Sequence, residues 1–275
     1  MSQEGVSIVD AYLRLQENKT LFVPLTDPLM ILHAAADYII KRLELAPMFY
    51  VTVEDAAPTM LSVGGAAVHS ITIFGSLNTP LYVLKAPPRL GEEAFKLYRT
   101  IAGPLVKWAE RNEFDRVVVM DVKPCKTESP DVYFAAEERL VGEIAKMGFK
   151  PFTGVFTSEA AYFLDECMRS RVDGIMLVVE SVALNKLLSL IETLQPSSGK
   201  IEEREALALA EDVMKHDEKA LTNALRALSK LAGVEIPLDR IPETMKELRE
   251  ALQVSLGDIL GALSGRGPWF PPFIA

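Results

Sequence analysis

Two carboxylates stand where an α/β protein keeps its chemistry. Asp121 follows the apolar run Val117-Val118-Val119-Met120, and Glu180 follows Ile175-Met176-Leu177-Val178-Val179. Runs that are apolar at every position suit strands covered by helices on both faces, and such sheets bind ligands at the carboxyl ends of their parallel strands. Two carboxylates there would hold a metal-bound nucleotide or divide the acid and base roles between them. The plainer reading is that strands end in polar residues or helix caps, and no other signature speaks for catalysis. The sequence has no GxSxG elbow, no GxxxxGK[ST] loop, no GxGxxG after a strand and no HExxH. Gly64-Gly65 suits a hairpin turn better than a close approach to phosphate.

Histidine and cysteine add little. The three histidines, His33, His69 and His216, are scattered. His33 interrupts an apolar helical stripe and reads as a packed, hydrogen-bonded side chain; His216 lies in a charged helix–helix junction. Cys125 and Cys167 lack CxxC or metal-ligand spacing, so both read as reduced packing residues of a cytoplasmic protein. No metal and no cofactor is expected.

The elements that would position the carboxylates are clearest between Phe152 and Leu194. Ala160, Phe163, Leu164, Cys167 and Met168 repeat at helical spacing, with Ser158 placed to cap the first turn. The strand before Glu180 follows, and then a second stripe runs from Ala183 through Leu187 and Ile191 to Leu194. Upstream, Leu21-Phe22-Val23 reads as a core strand, and Asp27 caps a helix carrying Leu32, Ala36 and Ile39. Phe49–Val53, Met60–Val63, Val68–Phe74 and Leu81–Leu84 read as hairpin strands added to the sheet. Residues near Ile8 to Leu15 suit a short strand or a helical turn.

A helix spans Glu92 to Arg111, and another is expected to open at Asp131 and end at Gly148. Beyond a polar loop at 195–200 the chain turns helical and charged. Helices are expected over Ile201–Lys215, over Asp217–Leu231 with Gly233 as terminator, and over Asp239–Ser264. The domain organisation expected is an α/β core over 1–198, a helical segment over 199–264 packed on it, and a tail over 265–275.

Across its 275 residues the chain is 49% hydrophobic and 24% charged, the balance of a globular protein with a sizeable core. A net charge of −9 without a basic run speaks against nucleic-acid binding. The N-terminal stretch lacks a signal-peptide pattern and no apolar run reaches spanning length, so membrane association is not expected.

The stretches TSEAAYFLDECMRSRVDGIMLVVES, DEKALTNALRALSKLAGVEIPLD and, earlier in the chain, DPLMILHAAADYII together resemble, in pattern and order, the archaeal proteasome assembly chaperone family, related to the second subunit of the eukaryotic assembly chaperone. The resemblance covers roughly Leu21 to Asp239. It implies an α/β fold of the doubly wound, phosphorylase-like type, with a mostly parallel sheet. It further implies a homo-oligomer that binds proteasome α subunits without chemical turnover. Some members end in a hydrophobic-tyrosine-any residue signature that inserts between α subunits. This chain ends Phe273-Ile274-Ala275, with Ile274 in the tyrosine position. Thr26-Asp27-Pro28-Leu29 also replaces the glycine-rich first turn common among relatives.

The tail nonetheless has a recognition character. Trp269, Phe270, Phe273 and Ile274 crowd an end stiffened by Pro268, Pro271 and Pro272 and closed by the carboxylate of Ala275. Burying four such side chains contributes roughly 6 to 12 kcal/mol gross, against roughly 4 to 15 kcal/mol for association and ordering. One tail binds weakly; several on one symmetric oligomer gain through effective concentration. Folding back on its own subunit, clasping a neighbour and docking on a partner all remain open. The leading expectation is a non-enzymatic, cytoplasmic, homo-oligomeric chaperone with Trp269, Phe270, Phe273, Ile274 and Ala275 as partner-binding residues. The alternatives are a nucleotide- or metabolite-dependent ligase or phosphorylase-like enzyme at Asp121 and Glu180, and a purely structural oligomer.

Overall fold

The two apolar runs become adjacent strands at the centre of one sheet. The computed structural model describes residues 6–9, 18–53, 60–63, 66–87, 92–127, 129–156, 158–194 and 217–248. Its strands are β1 (Val6–Val9), β2 (Thr20–Pro24), β3 (Ala46–Val53), β4 (Met60–Val63), β5 (Ala66–His69), β6 (Thr72–Ser76), β7 (Thr79–Lys85), β8 (Arg116–Pro124), β9 (Val132–Ala136), β10 (Lys150–Pro151) and β11 (Asp173–Ser181). Its helices are α1 (Ile31–Arg42), α2 (Glu92–Arg111), α3 (Glu138–Lys146), α4 (Ala160–Met168), α5 (Val182–Leu194) and α6 (Glu218–Ala232), followed by a helical run over 241–248.

Nine strands share a sheet in the order β1-β3-β6-β7-β2-β8-β11-β9-β10. The central strands β7, β2, β8 and β11 are mutually parallel. The hairpin strands β6, β3 and β1 extend one edge in antiparallel fashion. On the other edge β9 runs antiparallel to β11 and pairs in parallel with β10.

Alternation along each central strand sends side chains to opposite faces. Phe22, Val118, Met120, Leu177 and Val179 meet Ile39 of α1 and Leu221, Leu225 and Leu228 of α6 on one face. Leu21, Val23, Val117, Val119 and Met176 meet Leu105 and Trp108 of α2 and Phe163 of α4 on the other. With both faces covered, Val117 through Met120 are all 0% exposed. This is the doubly wound α/β fold expected from the sequence. Gly174 lets α4 approach β11 closely, since a Cβ there would lie 2.6 Å from Cys167 Cβ.

Several local expectations are corrected. The segment opening at Asp131 is not helical until Glu138, because Val132-Tyr133-Phe134-Ala135-Ala136 pairs with β11 as β9. Val68–Phe74 divides at Ser70-Ile71 into β5 and β6. Strands β4 and β5 pair with each other as a separate two-stranded sheet instead of joining the main one. Strand β8 continues to Pro124, so Asp121 lies within it. Ser158 does not cap α4 through its side chain; its backbone carbonyl accepts from Ala161 N at 3.0 Å. The Gly233 terminator of α6 holds, at φ 65°. The helix expected over 201–215, the expected Asp239–Ser264 helix beyond 248, and the tail lie outside the described residues.

Candidate functional site

Beyond β2 the chain must turn into α1, and Asp27 organises that turn. Its Oδ1 accepts from the backbone N–H of Leu29 at 3.0 Å and of Ile31 at 3.1 Å, and its Oδ2 from Leu32 at 2.9 Å. The first amides of a helix lack intrahelical acceptors and form a ready anion seat. Here the chain's own carboxylate occupies that seat, which is the one a phosphate takes in nucleotide-binding strand–helix turns. Asp27 is 3% exposed. Burial, partly offset by these three amides, pushes its pKa up to about 6, and nearby Asp121 pushes the same way.

Asp121 sits one strand over. Its Oδ1 accepts from Val122 N at 2.8 Å. Burial raises its pKa, while the Ser158 hydroxyl and that amide pull it back. The Ser158 Oγ is itself buried and closes no hydrogen bond of ordinary geometry. Glu159 beside it is also raised, by burial first and then by the Asp121 charge.

Asp217, fully buried at the start of α6, completes the series on the opposite sheet face. Its Oδ1 accepts from Ser181 Oγ at 2.7 Å, and Ser181 Oγ accepts from Leu184 N at 2.8 Å, capping α5. Its Oδ2 closes no hydrogen bond of ordinary geometry among the described residues, although the Ala183 amide lies near enough to favour its charged form. Burial pushes the Asp217 pKa up to about 7; the Ser181 bond opposes this and Asp27 adds to it.

Glu180 belongs to a separate network. One oxygen faces Lys123 Nζ at 3.2 Å; the other accepts from Asp131 N at 3.0 Å and Cys125 Sγ at 3.4 Å. Val178 pairs with Asp121, and Glu180 pairs with Lys123. The two expected carboxylates therefore share a sheet face but hold different segments of backbone. As an acid–base pair they lack free oxygens on Glu180, both of which have partners among the described residues. Among the described residues no group of three His, Cys, Asp or Glu could hold a metal ion.

His33 is packed as expected, but neither ring nitrogen has a hydrogen-bond partner among the described residues. Burial pushes its pKa down to about 4; Asp37 opposes this and Lys85 reinforces it, so the ring is neutral. Both cysteines are free and buried, and burial pushes the Cys167 thiol up to about 12. The tail residues Trp269, Phe270, Phe273, Ile274 and Ala275 lie outside the described residues. No described helix is long and apolar enough to cross a membrane. Asp217 was missed in the sequence because it reads as an ordinary helix start; a clue was its place just before the apolar repeat Ala220, Leu221, Ala224, Leu225.

The fold has known relatives. Pyrococcus furiosus PbaA, an archaeal homolog of proteasome-assembly chaperone, superimposes with a TM-score of 0.69 at 18% identity, covering 94% of this chain and 99% of its own. Pyrococcus furiosus PbaB, an archaeal proteasome activator, gives 0.63 at 16% identity, covering 91% and 98%. A Thermoplasma acidophilum protein of unknown function gives 0.62 at 18% identity, covering 90% and 87%. No curated protein matches the sequence. The sequence model of the PAC2 family matches residues 21–255, from the first core strand past α6 and the helical run beyond it. Over that span, which holds β2, β8, β11 and the carboxylates at their ends, the chain belongs to the PAC2 family.

Proposed function

We propose that the protein is a non-enzymatic, cytoplasmic, homo-oligomeric chaperone or adaptor that binds proteasome α subunits and assists proteasome assembly. The observation that carries this reading is membership of the PAC2 family together with a fold shared with PbaA. Absence of turnover is supported by the strand-end chemistry. The oxygens of Asp27 and Glu180 are spent on backbone amides, a lysine and a thiol, and so serve the scaffold.

The docking segment in this reading is the tail, through Trp269, Phe270, Phe273, Ile274 and Ala275. Among the described residues the large exposed apolar side chains, Leu77, Val141, Val155 and Met168, are spread over the β6–β7 turn, α3, the loop before α4 and the last residue of α4. Single exposed apolar residues are ordinary surface. A contiguous apolar recognition element is instead offered by the sequence of the last residues.

A pull-down of proteasome α subunits by the full chain and by a version ending at Gly267, with particle mass followed by light scattering, tests this. Loss of binding at unchanged mass is expected. A fall in mass makes the tail an assembly clasp, and absence of binding by the full chain overturns the proteasome reading.

A further inference from the structure

One cavity lined by described residues has no place in the reading above. A cleft of about 750 Å³ opens where β8 ends, between the first turns of α5 and α6. Lys126 enters it from the β8 exit, Asn185 and Lys186 from α5, and Glu218, Lys219 and Arg226 from α6. Four cations and one carboxylate thus converge from three elements, in a chain whose net charge is −9. Lysines on a convex surface are simply solvated. Here they ring a concavity within the roughly 300–1,000 Å³ range of small-molecule sites, at the carboxyl edge where α/β sheets take ligands.

The walls are fixed by bonds that tie the three elements together. Cys125 N donates to Ser181 O at 2.8 Å, joining the β8 exit to the start of α5. Asn223 Nδ2 donates to Pro130 O at 2.7 Å, tying α6 to the loop before β9. The Ser181–Asp217 bond at 2.7 Å joins α5 to α6. Lys126, Arg226 and Asn185, by contrast, make no side-chain hydrogen bond or ion pair among the described residues. Their donors are available, and a rigid frame holds them toward one volume.

We propose that this cleft binds a small polyanion, a molecule carrying phosphate or carboxylate groups, with Arg226 and Lys126 as direct anion contacts and Asn185 as a neutral hydrogen-bonding partner. Arg226 suits the planar oxygen pairs of phosphate and carboxylate alike. The Lys186 and Lys219 charges raise the local potential toward anions. Glu218 at the rim offsets one of the four positive charges and leaves the cleft net basic. No bond is made or broken; the site is one of recognition.

The test is calorimetric titration of the full chain with pyrophosphate and, separately, with citrate at low ionic strength. Saturable binding to either is expected, weakened about 10- to 100-fold by Arg226→Glu. It should also weaken steeply with added salt, and stay unchanged in Lys96→Ala, which alters an exposed lysine on α2. Pyrophosphate alone assigns phosphate as the recognised group, and citrate alone assigns carboxylate. Absence of saturable binding to both, or equal weakening by Lys96→Ala, overturns the proposal. Binding of poly-glutamate alone, lost on Arg226→Glu, overturns it in favour of an acidic protein surface. Because Arg226 is exposed and unpaired, the variant folds, which circular dichroism checks. No result depends on a proteasome subunit.

Discussion

Two regions at the same edge of the sheet use charge in opposite ways. Between β2 and β8, where the chain's path across the sheet reverses, Asp27 is buried and Asp121 half-buried, both accepting from backbone amides, with buried Asp217 on the α6 side. One strand further, at the ends of β8 and β11, the cleft is open and predominantly basic. The first region spends its charges on the chain itself, at the crevice where this architecture usually holds a ligand. The second leaves Arg226 and Lys126 unspent. Buried charge that is satisfied internally governs stability, and converging charge left at the surface governs recognition.

The largest effect expected from this contrast is at Asp27. Asp27→Ala removes the acceptor of three backbone amides at the start of α1, and unpaired buried donors cost about 1–3 kcal/mol each. The carboxylate's own desolvation offsets part of that loss, so a net destabilisation of about 2–4 kcal/mol is expected in urea unfolding. Asp27→Asn keeps one oxygen acceptor and should lose less. An unchanged unfolding midpoint in Asp27→Ala would remove the distinction between the two regions.

A smaller effect, distinctive in its pH dependence, is expected at Asp217. Its pKa rises from 3.8 to about 7 on folding, from burial first. Between those values the native state binds the proton that the unfolded state has lost, so this group's contribution is fully present below pH 4 and is lost as pH rises through 7. Asp217→Asn removes that dependence while keeping an oxygen for Ser181 Oγ. The stability of the variant relative to the parent should therefore climb from pH 4.5 to pH 8, by about 1–3 kcal/mol. Asp27, raised to about 6, contributes the same trend in both proteins and cancels in the difference apart from its charge coupling to Asp217. Parallel stability curves would mean that Asp217 is not held in the protonated form.

The sequence made the central strands legible because burial on both faces leaves an unbroken apolar run: Val117–Met120 and Ile175–Val179 needed no tertiary information. Asp27 was legible as a cap for the same local reason. Strand β9 was not, because Val132–Ala136 precedes a helix without an intervening breaker and becomes a strand only by pairing with β11. The proximity of Asp217 to Ser181 and Asp27 was not legible either, since α6 is brought there by packing on the sheet. The cleft was the least legible of all. Its cations stand at 126, 186, 219 and 226, and no local pattern links residues that only a three-element junction brings together.

The smallest expected effect sharpens the comparison from the other side. Arg226 is exposed and makes no ion pair among the described residues, so Arg226→Ala removes neither packing nor a buried hydrogen bond. Surface substitutions away from such features stay within about 0.5 kcal/mol. Urea unfolding of Arg226→Ala and of Lys126→Ala should reproduce the parent within that range, and Arg226→Ala should gain slightly if repulsion among the converging cations costs stability. A loss above about 1 kcal/mol would mean that Arg226 is tied into the scaffold as Asp27 is. Added pyrophosphate extends the same measurement: a ligand that binds only the folded state raises its stability in proportion to the logarithm of its concentration. That gain should appear in the parent and shrink in Arg226→Ala, so a residue nearly silent for folding becomes decisive for the response to an anion.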